Sequence, residues 1–100
     1  MEIIKNLNNN ELTLCLKGEL NTYTSTDLDA VIQKDLKNVD SLIIDMKELS
    51  YLTSAGLRVL LVAQKIMNDK KGSLLVRHPN ESIMEIFTIT GFVNVLRIEN

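Results

Sequence analysis

The order of apolar patterns along the chain is the feature that most restricts its fold. Stretches in which apolar residues alternate or form a short run are separated by stretches in which they recur every three or four positions. The first pattern predicts strands and the second predicts amphipathic helices, in the order ββαβαβαβ. Strands that alternate with helices lie parallel, because parallel neighbours need a crossover connection. A chain of 100 residues holds one core. The sequence therefore predicts an α/β fold, a single domain over residues 1–100 with a mostly parallel sheet of four to five strands.

The individual elements follow from local signals. Strands are expected at residues 2–7, 11–20, 41–46, 73–77 and 93–98. The third of these, SLIIDM, reads as a central strand covered on both faces. A first helix should begin at a capping box of Thr24 and Asp27, and a second should run from about Ser54 to Asn68. A third helix should be capped by Asn80 and stopped by Gly91.

Composition restricts which kinds of partner the protein can bind and in which cellular compartment it is expected. Eleven basic and thirteen acidic residues give a net charge of −2, so the chain lacks the basic surface that binds nucleic acid or an anionic membrane. The longest apolar run, Val59–Ala63, is too short to cross a bilayer, and the N-terminus does not have the pattern of a signal peptide. A single cysteine, Cys15, fits a reducing compartment and is expected to be a small buried side chain. We therefore expect a cytoplasmic protein.

The segment LSYLTSAG, residues 49–56, is the most informative loop of the predicted sheet. It should lie at the carboxyl edge, where function gathers in parallel sheets, and Ser54 should start the second helix there. No carboxylate occurs between Ser50 and Asn68, so the first N–H groups of that helix have no local anion. Two readings stay open at this point. In the first, Ser54 or Thr53 is only an N-cap and Gly56 only allows the helix to pack closely on the sheet. In the second, the Ser54 hydroxyl carries the function.

Three segments together resemble one known family. LKGELNTYTSTDL is similar to that family's Gly-Glu-Leu-Asp strand end and following helix, and LIIDMKELSYLTSAGLRVLL to its Asp-Ser-Ser/Ala-Gly-Leu signature. IFTITGFVNVLRI resembles its terminal helix, glycine turn and strand. Nearly end to end, the chain resembles a STAS domain of the anti-anti-sigma factor family, whose members bind anti-sigma factor kinases in bacterial partner switching.

This resemblance implies a function and a set of site residues. Ser54 matches the serine that the cognate kinase phosphorylates. The unphosphorylated form would capture an anti-sigma factor of the histidine-kinase-like ATPase type, which frees a sigma factor, and a phosphatase would restore capture after phosphorylation. The implied contact residues are Asn21, Thr53, Ser54, Ala55, Gly56, Leu57 and Arg58. No cofactor, metal or catalytic residue is implied. Thr53 and Asn21 both stand where the family usually has Asp, and Thr53 could serve as a second phosphoacceptor.

Two other functions remain open. In one, the domain is a constitutive scaffold or a subunit of a transport complex, and Ser54 is only a cap. In the other, it is a small enzyme or ligand carrier that uses the loops at the carboxyl edge. Glu19, Asp45 and Glu48 could suggest a magnesium or acid–base cluster, but their spacing favours separate solvated side chains. His78 is the only histidine and is expected on the surface, and no glycine-rich phosphate loop occurs.

Overall fold

The strands and helices follow the predicted order. The computed structural model describes residues 1–100. Its strands are β1 (Glu2–Asn8), β2 (Glu11–Leu20), β3 (Ser41–Leu52), β4 (Ser73–Arg77) and β5 (Arg97–Glu99). Its helices are α1 (Thr24–Asp35), α2 (Ser54–Asp69) and α3 (Glu81–Thr90), with 3₁₀ turns at Leu36–Asn38 and Phe92–Asn94. None of these helices has the length and apolar character needed to span a bilayer.

The five strands form one mixed sheet in the order β1-β2-β3-β4-β5. β1 is antiparallel to β2, and every other neighbouring pair is parallel. The β1–β2 hairpin turns at Asn9, which has a positive φ of 58° that asparagine tolerates better than most residues. The α/β fold and the mostly parallel sheet are thus confirmed.

All three helices lie on one face of the sheet. Because strand order follows chain order from β2 to β5, three right-handed crossovers must return on the same side. The core of 23 residues accordingly joins one face of the strands, with Leu14 and Ile44, to α1, α2 and α3 through Leu28, Leu60 and Phe87. The expectation that residues 41–46 are covered on both faces is wrong.

The second face of the sheet carries no helix. Ile43 is buried there between its strand neighbours Thr13 and Leu75, outside the core of 23 residues. Cys15 shares this face and is half-buried, so its expected burial is wrong as well. Its alternation with core residues placed it opposite the core, because successive side chains of a strand point to opposite faces.

Two element boundaries differ from the predicted ones. The last strand is only Arg97–Glu99, because Phe92–Asn94 form a 3₁₀ turn that brings Leu96 into the core. β3 runs on to Leu52 because β2 is ten residues long and pairs with it to the end, Leu20 opposite Leu52. The first half of LSYLTSAG is therefore strand, and only Thr53 connects β3 to α2.

Candidate functional site

The ends of β2 and β3 bring two helix starts together. Leu20 and Leu52 are opposite one another in the sheet, and the N–H of Thr53 donates to the carbonyl of Leu20 at 3.0 Å. The chain then enters α1 from Asn21 and α2 from Ser54, although these residues are far apart in sequence. The parallel register thus places Asn21 beside Thr53.

Ser54 is the first residue of α2, and its side chain is exposed. The N-cap position belongs to Thr53, and no side chain caps the helix. The Ser54 hydroxyl makes no hydrogen bond within the chain, and the N–H groups of the first turn receive no side-chain acceptor. The interpretation of Ser54 as an N-cap is therefore wrong. Its hydroxyl is available to solvent or to another protein.

Thr53 has the opposite environment. Its Oγ1 atom is buried and has no hydrogen-bond partner, while its backbone carbonyl accepts the N–H of Leu57 at 3.0 Å. A buried hydroxyl without a partner is destabilising, which makes this atom unusual. It also cannot reach a kinase in this conformation. The hypothesis that Thr53 is a second phosphoacceptor therefore lacks structural support.

Gly56 is required by a close approach between α2 and β2. A Cβ atom at this position would lie 2.7 Å from Cγ and 2.8 Å from Cδ2 of Leu20, which is fully buried. Gly56 and Leu57 are themselves buried, so a partner cannot contact them directly. The exposed or half-buried part of the implied contact set is then Asn21, Thr53, Ser54, Ala55 and Arg58, which we call the Ser54 surface.

Asn21 provides the cap of α1, which the sequence assigned to Thr24 and Asp27. Its Oδ1 accepts the N–H groups of Tyr23 at 2.9 Å and Thr24 at 3.0 Å. The Thr24 hydroxyl in turn accepts the N–H of Asn21 at 2.8 Å, so the two side chains cap reciprocally. The predicted capping box is thus shifted by three residues. An asparagine oxygen caps as well as the carboxylate usual in the family, so this departure preserves the helix start.

A groove between α1 and α2 continues the Ser54 surface. It has a volume of about 370 Å³ and is bordered on the α2 side by Ala55, Arg58, Val59 and Val62. The buried Ser25 lies on its α1 side, and Thr26, Asp29 and Gln33 of the same helix complete it. Sequence reasoning missed these three, although their spacing of three and four residues places them on one helix face. None of the three ion pairs of the chain involves Arg58.

The carboxylates named from the sequence do not form one cluster, although Glu19 accepts a hydrogen bond from Nδ2 of Asn21 at 3.5 Å beside this surface. Glu19, Asp45 and Glu48 belong to no group that could hold a metal ion. Glu48 instead pairs with Lys17 at 3.1 Å, and this hydrogen-bonded carboxylate raises the pKa of Lys17 above its ordinary value of 10.5. His78 is exposed at the end of β4, as predicted.

The comparison with known proteins agrees with this geometry. A STAS domain family model matches residues 2–100. The chain belongs to the STAS domain family. It is 30% identical over 90 residues to BtrV of Bordetella bronchiseptica, a candidate anti-sigma factor antagonist, covering 89% of this chain and 78% of that protein. It is 26% identical over 98 residues to the anti-sigma-B factor antagonist of Listeria monocytogenes, covering 97% of this chain and 86% of that protein.

Solved structures show the same STAS architecture. The anti-sigma factor antagonist SpoIIAA of Bacillus, in its unphosphorylated form, superposes with a TM-score of 0.81 at 16% identity. The match covers 99% of this chain and 88% of that chain. At this identity the superposition shows the fold. The relatives by sequence place this STAS domain in the anti-sigma factor antagonist family.

Proposed function

We propose that this STAS domain is a phosphorylation-switched anti-sigma factor antagonist without catalysis of its own. In its unphosphorylated form it binds an anti-sigma factor of the histidine-kinase-like ATPase type through the Ser54 surface, which frees the sigma factor. Phosphorylation of Ser54 by that kinase ends capture, and a phosphatase restores it. The observation that carries the proposal is the exposed Ser54 hydroxyl, free of hydrogen bonds, at the start of α2.

Local electrostatics favour a phosphate on Ser54 in the free protein. The first-turn N–H groups of α2 have no side-chain acceptor, and the positive end of the helix dipole stabilises an anion. Arg58 follows one turn later, at the i+4 spacing that lets side chains meet, and has no carboxylate partner. Phosphorylation should therefore leave the fold intact.

The same phosphate opposes binding of a partner. It adds a charge of about −1.5 to −2 at the centre of the Ser54 surface. Burying such a charge under a partner without a compensating cation costs several kcal/mol. Because about 1.4 kcal/mol changes affinity tenfold, a penalty of this size is enough to release the anti-sigma factor.

Two variants test this proposal. Ser54→Ala removes the phosphate acceptor without adding bulk or charge, so it should bind the purified anti-sigma factor like the parent and stay bound when ATP is added. Ser54→Asp adds a permanent charge and should weaken binding about 5- to 150-fold, as expected for 1–3 kcal/mol. Calorimetric titration measures both affinities. Peptide mapping after incubation with the kinase and ATP should find one phosphate, on Ser54.

Ser82→Asp is a matched control, because Ser82 is also an exposed serine in the first turn of a helix. It should bind like the parent. Equal affinities for the parent, Ser54→Ala and Ser54→Asp would refute the switch and favour a constitutive scaffold. Equal weakening by Ser54→Asp and Ser82→Asp would show that the partner responds to charge at this end of the sheet rather than to Ser54.

A further inference from the structure

β3 is held on only one side where it approaches Ser54. Its pairing with β4 ends at Asp45 and Arg77, but the strand continues to Leu52. Over this extension the backbone is paired with β2 alone, from Lys17 to Leu20. Strand edges without a partner leave carbonyl groups that need another hydrogen-bond donor.

A single side chain supplies hydrogen bonds on the unpaired side. Asn80 Nδ2 donates to the carbonyl of Leu49 at 3.2 Å and to the carbonyl of Ser50 at 3.0 Å. The Oδ1 atom of the same amide accepts the N–H of Ile83 at 2.8 Å and so caps α3. The amide therefore joins the start of α3 to the β3 extension.

The turn before Asn80 brings it to this position. β4 ends at Arg77, and His78 then adopts a positive φ of 59° while its N–H donates to the carbonyl of Glu99 at 2.8 Å. Pro79 is buried, and Asn80, which follows it, is exposed. The chain reverses beside β3, where β4 no longer covers it.

We infer that Asn80 is a positioning residue that holds the strand end presenting Ser54. Thr53 alone separates the paired part of β3, which ends at Leu52, from the first residue of α2. On the β2 side, the Thr53 N–H to Leu20 carbonyl bond fixes this connection. On the other side, the Asn80 side chain holds the backbone at Ser50, three residues before Thr53. The consequence for phosphorylation rests on the proposed function, whereas the positional role does not.

Side-chain chemistry allows the two roles of Asn80 to be separated. Ser is as good an N-cap as Asn, so Asn80→Ser should keep α3 capped while it removes the Nδ2 donor. Asn80→Ala removes both. Asn94→Ser is the matched control, because Asn94 is an exposed asparagine outside the strands and α-helices that makes no side-chain hydrogen bond.

Amide hydrogen exchange of the full chain measures the positional role without a kinase. In Asn80→Ser, the amides from Tyr51 to Thr53 should exchange roughly tenfold faster, since two hydrogen bonds that hold this strand end are lost. The amide of Ile83 should keep its protection. In Asn80→Ala the protection of Ile83 should fall as well, and Asn94→Ser should exchange like the parent.

Unchanged exchange from Tyr51 to Thr53 in Asn80→Ser would overturn the inference, as would an equal rise throughout the chain. With the cognate kinase and ATP, Asn80→Ser should be phosphorylated with a kcat/KM roughly three- to tenfold below that of the parent, because a less firmly positioned Ser54 hydroxyl reaches the reactive geometry less often. A local rise in exchange with an unchanged kcat/KM would refute the consequence for phosphorylation. A local rise in a protein whose parent is not phosphorylated at all would support the positional role and refute the proposed function.

Discussion

Gly56→Ala tests the close approach on which the Ser54 surface is built. In a helix interior, replacing Gly by Ala ordinarily stabilises by about 1 kcal/mol. Here the new Cβ would lie 2.7 Å and 2.8 Å from two carbon atoms of Leu20 and 3.3 Å from its carbonyl oxygen. Leu20 is fully buried in a close-packed core, and overpacking of this kind costs about 1–3 kcal/mol. We therefore expect a net loss of about 0–2 kcal/mol instead of a gain.

Denaturant unfolding of a double-mutant cycle separates these two effects. Leu20→Ala removes the two side-chain atoms that the new Cβ would meet, so Gly56→Ala should be more favourable in the Leu20→Ala background by about 1–3 kcal/mol. The displacement of Leu20 would also disturb its carbonyl bond to Thr53, so the single variant should lose affinity for the anti-sigma factor. A Gly56→Ala protein that is about 1 kcal/mol more stable than the parent, with no coupling to Leu20, would refute this reasoning.

Three further outcomes concern stability, each measured by denaturant unfolding. Thr53→Val should raise the free energy of unfolding by about 1 kcal/mol, because a methyl group replaces a buried hydroxyl without a partner; a loss would mean that the hydroxyl is bonded in solution. Ser54→Ala should change it by less than about 0.5 kcal/mol, and a loss of about 1 kcal/mol would restore the cap interpretation. Asn21→Ala should lower it by about 1 kcal/mol and Asn21→Asp should not; equal losses would contradict the capping role.

Local sequence signals were sufficient for much of the fold. Apolar alternation in β2 and the order of strands and helices predicted a mostly parallel α/β sheet, because each signal reports a period that the backbone imposes. The caps at Asn80 and Gly91 were also correct, since each depends on one side chain or one positive φ. The cap of α1 was predicted wrongly because two residues that can cap a helix lie close together in the sequence. Asn21 and Thr24 both suit a helix start, and only the observed hydrogen bonds show that Asn21 is the cap.

The resemblance identified the site residues in part, and tertiary packing then decided which of them are accessible. The TSAG segment directed attention to Ser54, and the structure leaves that side chain exposed. It also buries Gly56 and Leu57, which the implied contact set had included. Neighbouring residues in a helix differ in exposure because each turns about 100° from the last, and only the packing direction decides which of them face the sheet.

The sequence by itself determined the elements, their order and the residue around which function is proposed, because these depend on side-chain type and spacing along the chain. Tertiary structure alone decided the rest. The length of β3 depends on its partner β2, the solvent-facing side of the sheet depends on the hand of the crossovers, and the hold of Asn80 on β3 joins residues about thirty positions apart. Each of these depends on pairing between segments that are distant in sequence. A local sequence pattern does not specify which segment will pair with a given strand edge or free carbonyl.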